Sequence, residues 1–150
     1  MITIRPAGPA DLAQVVSLIH ELMHHHGVQP PDTVSLTASV SAIFKASDHV
    51  LLVAEEEGRA IGLCALLFSI STWSASPVCE LQDVLVTEDR RRADIGRGLI
   101  EHAQQIARTR GCARFFLLAE YWNLEAHAFY RSLGLSEKTC LYFERDLRPV

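Results

Sequence analysis

The spacing of apolar residues divides the first third of this 150-residue chain into a strand and two helices. A short strand is predicted at 2–7. Over 8–26 and again over 32–47, apolar residues recur every three or four positions, which is the period of an amphipathic helix. Pro9 near the start of the first stretch and Asp32 at the start of the second are typical of helix N-termini.

The rest of the chain begins with continuous apolar runs, which indicate buried strands. Strands are predicted at 49–56, 60–72 and 78–87, the first two joined by a tight turn. Helices and strands then alternate: a helix at 94–110, a strand at 113–119, a helix at 123–133 and a closing strand at 140–147, with Gly111 and Gly134 placed as helix C-caps. The order β-α-α-β-β-β-α-β-α-β predicts an α/β (mixed α+β) fold, with a mixed sheet and helices on both faces.

Composition is that of one globular domain, which we expect to span 1–150. Hydrophobic residues make up 49% of the chain and charged residues 21%. The net charge of −4 argues against nucleic acid as a partner. No apolar run approaches the roughly 20 residues that span a bilayer, and the N-terminus has no secretory h-region. We therefore expect a cytoplasmic protein that does not enter a membrane.

Four cysteines, Cys64, Cys79, Cys112 and Cys140, lie far apart and form no C-x-x-C pair. Such cysteines are usually reduced and buried, which is the expectation here. No pattern marks one of them as a nucleophile.

The stretch from Val86 to Ala107, "VTEDRRRADIGRGLIEHAQQIA", reads as a strand end, a basic turn and an amphipathic helix. Free N–H groups at a helix start, together with the helix dipole, favour an anion there. Four arginines add positive charge: Arg90, Arg91, Arg92 and Arg97. The pattern is typical of a pyrophosphate site, and a solvated turn before a surface helix has the same composition.

A second stretch, "YWNLEAHAFYRSLGL" at 121–135, favours the pyrophosphate site over the solvated turn. Together the two stretches resemble the GNAT superfamily of acyl-CoA-dependent N-acetyltransferases. The family signature Q/R-x-x-G-x-G/A corresponds to residues 91–96, and its "WN…A..FY..LG" element corresponds to residues 122–134. "ELQDVLV" at 80–86 and the "WN…FY" pattern are most similar to the diamine N-acetyltransferase branch.

The resemblance implies an acetyl-CoA-dependent N-acetyltransferase with a central, mostly antiparallel sheet. It would transfer an acetyl group to a primary amine of a small molecule, polyamine-like or an amino acid, by direct attack in a ternary complex. Acetyl-CoA is the implied co-substrate, no metal is required, and a homodimer is implied.

The resemblance also implies residue roles. The strand end offers backbone groups to the pantetheine arm, the loop and helix start hold the pyrophosphate, and the later helix contacts the CoA arm. The hydroxyl of Tyr130 would act as general acid for the leaving thiolate, although a core aromatic would occupy the same position. The implied acyl-CoA-binding residues are Val84, Leu85, Val86, Arg91, Arg92, Ala93, Asp94, Ile95, Gly96, Arg97, Asn123, Ala126 and Tyr130.

Asp94 stands where the family signature has its first glycine. A carboxylate there repels a pyrophosphate and can itself cap the helix. We expect CoA to bind more weakly than it would with glycine in this place.

The acceptor amine must lose a proton, because an amine with a pKa near ~10 is mostly protonated at pH 7. In the resembling branch a glutamate takes that proton at the position of Gln82, which cannot. Glu80 lies two residues earlier, on the same strand face if side chains alternate, and is the predicted base. Asp83 is expected to face the other way. Gln82, His24 and Glu120 are the predicted substrate contacts.

Two alternatives stay open. "HELMHHHG" at 20–27 contains H-E-x-x-H, in which His20 and His24 could bind zinc and Glu21 act as base of a hydrolase. The longer metalloprotease motif needs a histidine where Pro30 stands, and a polar helix end is the ordinary interpretation. The other alternative is a non-catalytic acyl-CoA-binding or sensing domain, which Asp94 and Gln82 favour.

Overall fold

The computed structural model describes residues 1–149, and the chain divides into two compact units, Met1–Leu118 and a second unit from Ala119 onward. The first unit contains five strands and three α-helices. They are β1 (Ile2–Pro6), α1 (Leu12–His25), α2 (Thr33–Lys45), β2 (His49–Glu56), β3 (Arg59–Ser71), β4 (Ser76–Val86), α3 (Ile95–Thr109) and β5 (Arg114–Leu117). The second unit contains α4 (Leu124–Ser132). A single domain over 1–150 stays a prediction.

The five strands form one sheet in the order β1-β2-β3-β4-β5. The first four pair antiparallel, and β5 pairs parallel with β4 after the crossover through α3. The mixed, mostly antiparallel sheet is therefore confirmed, and so is the element order as far as α4.

The predicted closing strand at 140–147 is wrong for this structure. Within the described residues, no strand is formed beyond Leu117, and the large apolar side chains of the segment are exposed. The apolar run at 140–143 favours a strand. A strand forms only where a neighbouring backbone takes up its N–H and C=O groups, and an apolar run cannot supply that partner.

Helices cover both faces of the sheet in the first unit. Leu63 and Leu85, paired across β3 and β4, belong to the core that α1 and α2 bury. Gly62, the next residue along β3, faces α3 instead, because neighbouring strand residues point to opposite sides. The face covered by α1 and α2 is called the α1/α2 face below.

Gly62 allows α3 to lie close to the sheet. A Cβ atom at this position would lie 3.1 Å from Leu99 Cδ1, 3.2 Å from the carbonyl oxygen of Leu85 and 3.3 Å from Ile95 Cγ2. A side chain here would have to displace backbone as well as side chains. The first two turns of α3 are thus held directly over the paired ends of β3 and β4.

The predicted helix ends are confirmed where capping residues mark them. The N–H of Ser35 donates to Asp32 Oδ1 at 2.9 Å at the start of α2. Gly111 and Gly134 follow α3 and α4 with φ of +72° and +80°, the left-handed conformation that ends a helix most easily at glycine.

The four cysteines are free, and two of them are buried. Burial raises the pKa of Cys79 to about 12 and that of Cys64 further, so both are neutral thiols at pH 7. The expected burial does not extend to Cys140, which is exposed. Separately, none of the helices within residues 1–149 has the length and apolar character needed to cross a membrane.

Candidate active site

The start of α3 presents a row of backbone amides. The first hydrogen bond of the helix runs from the N–H of Gly98 to the carbonyl of Asp94, at 2.9 Å. The N–H groups of Ile95, Gly96 and Arg97 therefore have no acceptor inside the helix. No side chain of the described residues caps this end. Three donors at the positive end of a 15-residue helix are thus available to an anion.

The loop before α3 has a backbone shape that explains the glycine of the family signature. Arg92 and Asp94 have φ of +63° and +56°, a region that residues with a side chain rarely adopt. Glycine enters this region without steric cost, and aspartate tolerates it better than most residues. The first signature glycine is therefore explained by chain conformation at least as well as by room for the phosphates.

The side chain of Asp94 points away from the helix amides. Its carboxylate is 90% exposed, and its Oδ1 lies 3.8 Å from Arg97 Nε. The capping bond that the sequence allows this carboxylate does not form, because the left-handed backbone directs the side chain outward. An ion pair as exposed as Asp94–Arg97 adds little stability and does not neutralise the carboxylate. The negative charge of Asp94 therefore remains beside the helix amides.

Replacing Asp94 with glycine should strengthen acetyl-CoA binding about fivefold, since removing one nearby like charge is worth on the order of 1 kcal/mol. Calorimetry at low salt measures this, and the difference should shrink at high salt. Asp94→Asn is the matched control, because asparagine also tolerates positive φ. Equal gains in both variants assign the effect to charge, and a gain with glycine alone assigns it to loop shape. Unchanged affinity in both variants contradicts the charge argument.

The C-terminal half of β4 has an open edge. β5 pairs with β4 only from Val78 to Leu81, whereas β3 stays paired as far as Val86. On the β5 side, residues 82–86 have no ladder partner within the described chain. Their backbone can therefore pair with an extended ligand in the manner of an added strand. Val84, Leu85 and Val86 lie on this open edge and lead directly to the amides of α3.

A β-bulge interrupts β4 at Gln82. Leu81 pairs with Leu66 and Asp83 pairs with Ala65, so Gln82 has no partner across the ladder. Because Glu80 pairs with Leu67, two residues beyond Ala65, the side chains of Glu80 and Asp83 share one face of the sheet.

The expectation that Asp83 faces away from Glu80 is therefore wrong. It assumed strict alternation, which the extra residue resets. The same break removes the alternation argument that placed Glu80 and Gln82 on one face. The residue pattern of β4 contains no signal for the bulge.

Asp83 lies on the α1/α2 face, where the cover given by α1 ends. Burial of the carboxyl raises the pKa of Asp83, and the charge of nearby His26, at the end of α1, acts in the opposite direction. The side chain nevertheless remains exposed. His24, the predicted substrate contact, is an exposed residue of the last turn of the same helix.

The H-E-x-x-H stretch gains no metal ligands from the fold. His20 and His24 lie one turn apart on α1, and His20 Nε2 is buried without a hydrogen-bond partner. Across residues 1–149, no group of three or more histidine, cysteine, aspartate or glutamate residues is placed to hold a metal ion. A zinc site built on this motif therefore lacks its third ligand in the described chain.

In the second unit, the remaining predicted residues lie on or beside α4. Asn123 caps the helix and accepts a hydrogen bond from the N–H of Ala126 at 3.2 Å. Ala126 and Tyr130, four residues apart, lie on one face, and both are half-buried. The Tyr130 ring contacts Phe129, with 5.4 Å between ring centroids. Glu120 is exposed, and its carbonyl accepts from His127 Nε2 at 2.8 Å.

Comparison with known proteins identifies the family. The acetyltransferase (GNAT) family model matches residues 17–135. Thialysine N-epsilon-acetyltransferase of Bos taurus is 28% identical, over 97% of this chain and 94% of that protein. Aminoglycoside N(6')-acetyltransferase type 1 of Stenotrophomonas maltophilia is 26% identical, over 98% of this chain and 95% of that protein.

Among solved structures, a putative acetyltransferase from Arthrobacter sp. FB24 superposes with a TM-score of 0.85. It is 28% identical, and the match covers 97% of this chain and 96% of that one. The match to the family model and the shared fold agree with the row of amides at α3 and the open edge of β4. The chain belongs to the acetyltransferase (GNAT) family and is an acetyl-CoA-dependent N-acetyltransferase.

Proposed function

We propose that this enzyme acetylates the primary amine of a small cationic molecule, polyamine-like or an amino acid, by direct attack in a ternary complex. The observation that carries the proposal is the continuous path from the open edge of β4 to the free amides of α3. Two relatives support the acceptor class by their names, one for thialysine and one for aminoglycosides. The net charge of −4 is compatible with a cationic acceptor.

The residues present fit the acyl donor. Its diphosphate would be held by the amides of Ile95, Gly96 and Arg97, with Ala93 and the arginines of the loop beside them. Arg91 Nε donates to the carbonyl of Val86 at 3.3 Å, which ties the loop to the end of β4. Arg92 is exposed in the left-handed turn. The pantetheine arm would pair with Val84, Leu85 and Val86, and the resemblance alone assigns Asn123 and Ala126 to contacts with the CoA arm.

In this proposal, acetyl-CoA supplies an acetyl group activated as a thioester. Backbone amides on the open edge of β4 polarise the carbonyl and stabilise negative charge on its oxygen. The hydroxyl of Tyr130 gives its proton to the departing sulfur. A carboxylate on β4 takes the proton of the acceptor: Glu80, as the sequence predicts, or Asp83 on the same face. Gln82, His24 and Glu120 are proposed to contact the acceptor.

The two residues that favour a non-catalytic acyl-CoA-binding domain in the sequence, Asp94 and Gln82, support it less in the structure. Asp94 leaves the helix amides free, and the carboxylate of Asp83 lies next to Gln82 on the same strand. We also propose, on the resemblance alone, a homodimer in the cytoplasm. Light scattering on the purified protein would test the dimer.

A screen for CoA release tests the proposed function. The purified enzyme is incubated with acetyl-CoA and, in turn, polyamines, amino acids, aminoglycosides and peptides, and free thiol is measured. We expect release with small cationic amines and only a slow background with acetyl-CoA alone. Tight acetyl-CoA binding without release by any acceptor would contradict catalysis and favour the non-catalytic domain.

A further inference from the structure

We propose that Asp83 is the group that binds the ammonium of the acceptor and takes up its proton. The inference rests on the proposed function and deepens it, because it assigns the acceptor side of the active site to one residue. The acceptor class that follows is a small primary amine that enters as a cation and is neutralised on β4.

The first reason is the position of Asp83 along the strand. Glu80 lies in the part of β4 that is paired on both sides, with Leu67 of β3 and Phe116 of β5. Asp83 lies beyond the last pair with β5, on the open edge and next to Val84. A ligand paired with residues 84–86 would therefore bring its reactive end nearer to Asp83 than to Glu80 along the strand.

The second reason is that the carboxylate of Asp83 has no fixed partner. Within residues 1–149, no hydrogen bond or ion pair engages it. Other carboxylates of the first unit are held: Asp11 by Arg5, Asp32 by Ser35, Asp48 by His49 and Asp89 by Arg59. A carboxylate with no partner in the described chain is available to a cation that enters from outside.

The third reason is basicity. Hydrogen bonds and ion pairs lower the pKa of Asp11, Asp32, Asp48, Asp89 and Asp146, whereas burial raises the pKa of Asp83. A carboxylate whose pKa moves toward neutrality is a better proton acceptor near pH 7 and is typical of functional sites.

Three ionisable groups are related to Asp83 by charge or by position on the sheet. His26 at the end of α1 acts on it by charge and lowers its pKa. Cys64 of β3 is a buried thiol whose own pKa is raised in part by Asp83. Glu80 shares its face on β4. His26 is thus the one described group in this set that stabilises the ionised form of Asp83.

The step balances as follows. The ammonium nitrogen gives one proton to the carboxylate of Asp83, and its freed lone pair forms the C–N bond to the acetyl carbon. The C–S bond breaks and its electron pair leaves on sulfur. A second proton from the nitrogen replaces the one that Tyr130 gives to that sulfur. The proton on Asp83 passes to solvent, so the net reaction yields an amide, a thiol and one proton.

The test is the pH dependence of kcat/KM with the best amine found in the screen. Because the carboxylate must be ionised to act, wild-type activity should be lost as pH falls through the raised pKa of Asp83. Asp83→Asn should lower kcat/KM near pH 7 by about 10²–10⁴-fold and erase this acidic limb. Asp83→Glu should retain the limb. Asp48→Asn makes the same charge change at an exposed carboxylate elsewhere and should behave as wild type.

Two further variants keep the inference falsifiable if Asp83→Asn does not fold. His26→Gln removes the group whose charge lowers the pKa of Asp83 and should move the acidic limb to higher pH. Glu80→Gln should leave the limb in place. An unmoved limb in His26→Gln, a limb erased by Glu80→Gln, or wild-type rates in Asp83→Asn would overturn the role of Asp83. A wild-type enzyme that acetylates no amine would instead refute the proposed function.

Discussion

Replacing Tyr130 with phenylalanine is expected to lower kcat by about 10²–10⁴-fold, the usual contribution of a positioned general acid. The substitution removes one oxygen and keeps the ring that packs beside Phe129. The loss in kcat should therefore exceed any change in the Kd of acetyl-CoA, because the ring is kept while the departing thiolate loses its proton donor. Steady-state kinetics and calorimetry on the same preparation separate these effects.

Tyr121→Phe is the matched control, because Tyr121 belongs to the same unit as Tyr130 and is 88% exposed. It should retain wild-type kcat. If Tyr130→Phe also retained wild-type kcat, Tyr130 would be a packing residue of α4. A weakened Kd with unchanged kcat would give it a binding role only.

Replacing Leu99 with alanine is expected to destabilise the protein by about 2–5 kcal/mol. Leu99 is fully buried and packs over Gly62, where α3 lies closest to the sheet. The cavity would loosen the turn that carries the free amides, so acetyl-CoA affinity should fall as well. Urea unfolding measures the first effect and calorimetry the second.

Leu141→Ala removes the same atoms from a residue that is 82% exposed, and should change stability by no more than about 0.5 kcal/mol. Equal losses in the two variants would mean that burial against Gly62 is not what holds α3. A large loss of stability in Leu99→Ala with unchanged acetyl-CoA affinity would separate the helix start from the binding site.

Sequence patterns predicted the elements where local chemistry determines them. Asp32 and Asn123 cap helices because their side chains reach the amides of the first turn, and Gly111 and Gly134 end helices because of their positive φ. The basic turn before α3 was recognisable for the same reason, since a strand, a short loop and a helix place free amides at one point. The resemblance to the family signature then identified the expected ligand of those amides as the pyrophosphate of CoA.

Sequence patterns failed where a distant part of the chain determines the outcome. The bulge at Gln82 depends on how β3 and β4 align. Asp83 therefore lies on the opposite face from the one that strict alternation predicts, and the residue pattern of β4 does not indicate this. The segment at 140–147 begins with an apolar run typical of a strand, but no neighbouring backbone pairs with it in the described chain. The residue type at position 94 allows a cap on α3 as well as an outward side chain, and the left-handed backbone, which no single residue reveals, directs it outward.

The central claim is that the free amides at the start of α3 hold the diphosphate of the acyl donor. Titrating ¹⁵N-labelled protein with CoA, and following every backbone amide by NMR, tests it most directly. We predict that the amides of Ile95, Gly96 and Arg97 are among those that shift most, with the same Kd that calorimetry gives. CoA binding that saturates while these three amides stay unshifted would contradict the claim.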